Sequence, residues 1–77
     1  MEKSLQSFAK AVGEDQYLRM MYRADPIKAL SNYGIKTISY AEFVSDETMK
    51  AFSDLPDRSP EDGLAYAKIL MHIALNP

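Results

Sequence analysis

Residue types that carry chemistry are scarce in this sequence, and their spacing suits little of it. The one histidine, His72, lies inside an apolar run from Ile69 to Leu75, with no acid near it in sequence. A lone imidazole has no second histidine with which to share a metal. With no cysteine, the chain has neither a thiolate ligand nor a disulfide framework. The three glycines stand apart at positions 13, 34 and 63, so no phosphate-cradling loop is present. Asp54, Asp57, Glu61 and Asp62 do not follow the alternating pattern, closed by a glutamate, of a calcium loop. They read as a solvated acidic loop. A serine, histidine and aspartate could be brought together only from distant positions, and a chain this short leaves little room for a pocket of the usual size. The sequence therefore assigns no catalytic residue, no metal ligand and no cofactor, and the expectation is that the protein is not an enzyme.

What remains is the chemistry of contact. Tyr17, Met20, Met21, Tyr22 and Tyr33 form an apolar and aromatic group. One reading is core packing. The other is a docking surface, because tyrosine and methionine are enriched where proteins meet. Both can hold, since a thin domain cannot bury all of them. The partner-binding surface expected from the sequence is built on Tyr17, Met21, Tyr22, Ile27, Leu30 and Tyr33.

These residues must be positioned by short helices, because the punctuation of the chain is helical throughout. Ser4 is an N-cap for a helix whose apolar face is Leu5, Phe8, Ala9 and Val12, with Gly13 expected to end it. A second helix runs from near Asp15 to Arg23, its apolar face read as Tyr17, Leu18, Met21 and Tyr22, with Arg19 and Arg23 opposite. Asp25-Pro26 opens a third, since proline at the first helical position leaves no N–H unpaired. Gly34 closes it, with Ile35 packing back over the last turn. Ser39-Tyr40-Ala41-Glu42 reads as a capping box that starts a short helix. Another short helix runs from Asp46 to Ser53, with Met49 and Phe52 inward. Leu55 to Arg58 is a loop, and Ser59-Pro60 starts a final helix. The fold expected is all-α, a compact bundle of about four to five short helices. It divides into a helical docking segment, 1–58, and a C-terminal segment, 59–77. From Ile69 onward the apolar residues surround the helix axis, which marks a helix that is fully buried or is not resting on its own domain.

Composition narrows the partner. Hydrophobic residues make up 47% and charged residues 26%, with a net charge of −2, which is the balance of an ordinary globular domain. The nine Lys and Arg are interleaved with acids and form no basic stripe, so nucleic acid is not an expected partner. No apolar stretch follows the early charges as in a signal peptide, and none is long enough to span a bilayer. A cytoplasmic location and no membrane partner are expected. So small a domain has little stability of its own, and with disulfides and metals set aside, a larger protein partner is the remaining source of it, along with tight helix packing.

The segment Gln16 to Ile35 carries a more specific signal. Its core, Asp25-Pro26-Ile27-Lys28-Ala29-Leu30-Ser31-Asn32-Tyr33-Gly34-Ile35, resembles the Asp-Pro…Leu…Gly-Leu/Ile pattern of LigA-like small helical domains. These occur as the small subunit of extradiol dioxygenases and in the leaders of ribosomally made, modified peptide (RiPP) precursors, including split-borosin precursors. The match covers about a quarter of the chain, and Lys36 to Tyr40 departs from the usual start of the next helix. The resemblance implies a precursor whose helical domain docks a modifying enzyme, in the borosin case a methyltransferase that uses S-adenosylmethionine. It further implies a modifiable core in the apolar tail Ile69, Leu70, Met71, His72, Ile73, Ala74 and Leu75. A backbone amide can be methylated only when free of helical hydrogen bonds, so the same tail packed as a final helix would have to unwind first. The alternative from the residues alone is a small helical accessory subunit or inhibitor that acts by protein contact.

Overall fold

A computed structural model describes residues 3–76. Met1, Glu2 and Pro77, at the outer ends of the two expected segments, lie outside the described residues. The described chain is all-helical, with six helices where the sequence suggested four to five: α1 Leu5–Glu14, α2 Gln16–Ala24, α3 Pro26–Tyr33, α4 Tyr40–Phe43, α5 Asp46–Ser53 and α6 Pro60–Leu75. α1 packs on α5 and α2, and α6 packs on α2 and α3.

Local capping explains where the helices begin. Ser4, Ser39, Ser45 and Ser59 each sit in extended backbone and accept, through the side chain, a free N–H of the turn that follows. Asp25 does the same for Lys28, with Pro26 in the first position. At the end of α3, Gly34 takes φ 109° and Ile35 donates back to the Leu30 carbonyl at 3.0 Å. That is the Schellman closure, and it turns Ile35 into the core. Only a residue without Cβ adopts this φ cheaply.

Three local expectations change. α1 does not stop at Gly13. It runs to Glu14, and Asp15, in extended backbone, both ends α1 and caps α2. One residue therefore forms the whole connection, and α2 must double back against α1. The capping box at α4 forms only by half. Ser39 accepts from Glu42 N, but the Glu42 carboxylate accepts from the Leu5 amide of α1 at 2.6 Å instead. It thereby caps a second helix across 37 positions of sequence. In α5, Thr48 is buried beside Phe52, while Met49 is 46% exposed.

The core is aromatic at its centre. Phe52 of α5 lies 5.5 Å from Tyr22 of α2, 5.7 Å from Tyr66 of α6, 5.9 Å from Phe43 of α4 and 6.2 Å from Phe8 of α1, centroid to centroid. Leu5, Val12, Leu30, Leu55, Ala65 and Ile69 pack around these rings. Residues of the expected C-terminal segment, Ala65 and Ile69, belong to this same cluster. Phe52→Ala is expected to cost about 3–5 kcal/mol by loss of transfer energy and the cavity left behind. Met49→Ala, one turn away on the exposed side, is expected to change stability by less than about 0.5 kcal/mol. Urea midpoints of the two variants check the contrast.

Candidate functional site

α2 presents its polar and apolar sides the wrong way round for a surface helix. Tyr17, Met20, Met21 and Ala24, at i, i+3, i+4 and i+7, are exposed, Tyr17 by 83%. Leu18, Arg19, Tyr22 and Arg23 face the protein. The sequence placed both arginines on the outer side, and the structure reverses this.

The reversal has a physical cause in the turn at Asp15. The last carbonyls of α1 have no partner within their own helix and carry the negative end of its dipole. The Arg19 guanidinium reaches back and donates to the Val12 and Gly13 carbonyls, each at 3.0 Å, and pairs with Asp57 at 3.3 Å. One turn later Arg23 forms a two-pronged ion pair with Asp62 of α6, at 2.6 and 3.2 Å, and donates to the carbonyls of Pro56 and Asp57. Asp62 holds the Arg23 guanidinium firmly protonated. Thus the acids read from sequence as a solvated loop include two that hold arginines of α2. Between the two arginines, Tyr22 is fully buried, and its hydroxyl points to the Asp62 carbonyl at 3.4 Å. Burial, and then the nearby Asp62 charge, push the Tyr22 phenol well above the usual tyrosine range.

The six residues expected to form a dock are therefore split. Tyr17 and Met21 are on the surface. Tyr22 and Leu30 are in the core, and Ile27 and Tyr33 are half-buried against it. Tyr33 is held by Lys3, whose ammonium lies 4.4 Å over its ring, and by a hydroxyl contact to Ser7. Met20 joins Tyr17 and Met21 at the surface. The sequence counts it in the apolar and aromatic group, though not among the six dock residues, and its i, i+3, i+4 spacing with Tyr17 and Met21 puts it on their face.

α6 has two apolar sides. Ala65 and Ile69 are buried, with Tyr66, His72 and Ile73 half-buried beside them. Leu64, Met71 and Leu75 face out, exposed by 62%, 62% and 74%, with Ala67 and Ala74 alongside and Leu70 at the edge. Lys68 is the only charged residue between Leu64 and Leu75. Of the segment expected to be modified, Ile69 is core, Ile73 and His72 are partly covered, and Leu70, Met71, Ala74 and Leu75 are exposed. All lie within a helix that continues until Asn76 donates to the His72 carbonyl.

Among the described residues, no group of His, Asp and Glu is placed to hold a metal, and no buried side-chain nitrogen or oxygen lacks a hydrogen-bond partner. No helix is long and apolar enough to cross a membrane. No protein-family model, curated protein or solved structure matches the chain.

Two predictions follow from the arginines and Tyr22. Arg19→Ala strands two carbonyls at the end of α1 and is expected to cost about 1–3 kcal/mol, with Arg19→Lys recovering only part, because an ammonium cannot reproduce the planar fork. Urea titration of both variants checks this. Tyr22 stays neutral in the folded chain at pH values where it ionises in the unfolded chain, above about pH 10. The unfolded state then binds fewer protons, so stability falls as pH rises past that point. Tyr22→Phe is expected to flatten this alkaline loss, measured as the urea midpoint at neutral pH and at a pH above the ordinary tyrosine range.

Proposed function

We propose that the chain is a helical docking module that acts by protein–protein contact, through the outward faces of α2 and α6. One observation carries the reading. Among the described residues, seven of nine large exposed apolar side chains belong to these two helices: Tyr17, Met20 and Met21 on α2, and Leu64, Leu70, Met71 and Leu75 on α6. Scattered single apolar residues on a surface need no explanation, whereas stripes at helical spacing do. On α2 the argument is stronger still. Two arginines are taken inside, while tyrosine and methionine are left in water. An outward helical stripe at i, i+3, i+4 and i+7 is the form in which a helix is read by an apolar groove on another protein.

Two forms of this reading differ in the fate of α6. In the precursor form, a methyltransferase would act on backbone amides between Ile69 and Leu75. Those amides are helix donors, and Ile69 is anchored in the core, so that form needs the last turns of α6 to unwind. In the accessory form, α6 stays folded and its outward stripe is itself a contact surface. The exposed side chains of α6 favour the accessory form, and that is the one proposed.

The test uses the full chain co-expressed with the products of neighbouring genes. Tyr17→Asp with Met20→Asp, and separately Met71→Asp with Leu75→Asp, alter only exposed positions and are expected to keep the wild-type circular dichroism. At least one pair is expected to weaken a co-purifying partner by a factor of ten or more, since charge placed in an apolar contact costs about 2 kcal/mol or more. Binding unchanged in both pairs sinks the docking reading. Intact mass on the same samples separates the two forms: steps of one methyl group within Ile69–Leu75 would restore the precursor form. Leu30→Asp is no use as a docking probe, because it places a charge in the core and is expected to unfold the chain.

A further inference from the structure

We infer that the open cleft between α5 and the first turns of α6 binds an amphipathic carboxylate, a fatty acid whose apolar tail lies on Met49 and Tyr66 and whose head group meets Arg58. The cleft encloses about 390 Å³, within the usual range of ligand sites, which is roughly 300–1,000 Å³. Its apolar wall is formed by Met49, Phe52, Leu55 and Tyr66. That wall is rigid where it matters. Tyr66 stacks on Phe43 at 4.4 Å and meets Phe52 edge-on at 5.7 Å, so the aromatic surface is fixed before any ligand arrives.

Gly63 lines the cleft. It lies within α6, where glycine weakens a helix, yet its φ is not positive. A Cβ built at Gly63 meets nothing within 4 Å, so a larger side chain has room at this edge of the cleft.

The polar groups in the wall choose the head group. Asp62 spends both carboxylate oxygens on Arg23, and its carbonyl receives the Tyr22 hydroxyl. The Tyr66 hydroxyl donates to the Phe43 carbonyl, and the Ser53 hydroxyl to the Lys50 carbonyl. Ser59 accepts from the Glu61 amide, which leaves its hydroxyl hydrogen to donate. Arg58 is exposed and, among the described residues, makes no hydrogen bond or ion pair, unlike Arg19 and Arg23. The one charged group of the wall that has no partner among the described residues is thus the Arg58 guanidinium. An uncommitted positive charge selects an anionic head group, and a carboxylate fits a guanidinium in geometry as well as charge. This site is independent of the outward stripes of α2 and α6.

The experiment titrates sodium decanoate into the full, isotopically labelled chain and follows backbone amide shifts, with Gly63 as an isolated reporter inside the cleft. Saturable shifts at Gly63, Tyr66 and Phe52 are expected. Decanol, which lacks the charge, and Arg58→Glu are each expected to raise the dissociation constant by about tenfold. Acetate, which lacks the tail, is expected to give no shift at Gly63. Gly63→Leu fills this edge of the cleft and is expected to abolish the response. Met49→Trp closes the cleft from the opposite wall at an exposed position, which keeps the test intact should Gly63→Leu disturb the helix. The inference fails if decanoate gives no saturable shift at Gly63 below the concentration at which it self-associates. It fails equally if decanol and Arg58→Glu bind as tightly as decanoate and wild type, or if the shifts fall on Tyr17, Met20 and Met71 instead.

Discussion

Phe52 is the point through which the helices hold one another. Its ring meets rings from α1, α2, α4 and α6, so five of the six helices share one aromatic contact network. α3 joins through Tyr33, whose ring stands edge-on to Phe8 at 5.4 Å. A domain of this size cannot separate its core into independent layers, because its ratio of surface to volume leaves too few interior positions. A few large side chains must therefore each serve several helices. Aromatic rings do this well: each buries a large area, and the edge-to-face geometry fixes the angle between the helices that carry them.

With the interior occupied by rings, the fold must also accommodate a buried cation. Arg19 is 7% exposed, a position at which an unpaired charge would be costly. It is tolerated because the one-residue connection at Asp15 brings the end of α1 against α2, where two carbonyls await a donor. Arg23 then uses the same inward side of α2 to hold α6 through Asp62. The inner face of α2 thus carries both arginines beside Leu18 and Tyr22, and its second apolar stripe is left outside. The exposed stripe of Tyr17, Met20 and Met21 and the buried arginines are two results of one helix orientation.

α6 shows the complementary case. Its inner side carries Ala65 and Ile69, with Asp62 at the near end for Arg23. Its outer side is apolar as well, with Leu64, Met71 and Leu75 exposed while Ala65 and Ile69 stay in the core. The first turns of the same helix, opened by Ser59 and Pro60, border a separate cleft that Arg58 also lines. One helix thereby contributes to the core, to an outward apolar stripe and to a cleft of different chemistry.

The sequence by itself determined where most helices start and where α3 stops, though not the end of α1. Ser4, Asp25-Pro26, Gly34 and Ser59-Pro60 act on amides and carbonyls within a few positions of themselves, so their effect needs no knowledge of the rest of the chain. It also determined that the chain is all-helical and that Leu5, Phe8, Ala9 and Val12 form an inner face. Only the tertiary structure decided which side of α2 and of α6 turns inward, since each helix carries two apolar stripes and periodicity cannot rank them. The choice on α2 was made by groups outside that helix: the carbonyls of Val12 and Gly13 at the end of α1, and the distant carboxylates of Asp57 and Asp62. The same holds for Glu42, which sequence assigns to its own helix and the fold assigns to the amide of Leu5. Charged groups find their partners through space, and a partner 38 or 39 positions distant leaves no periodic trace along the chain.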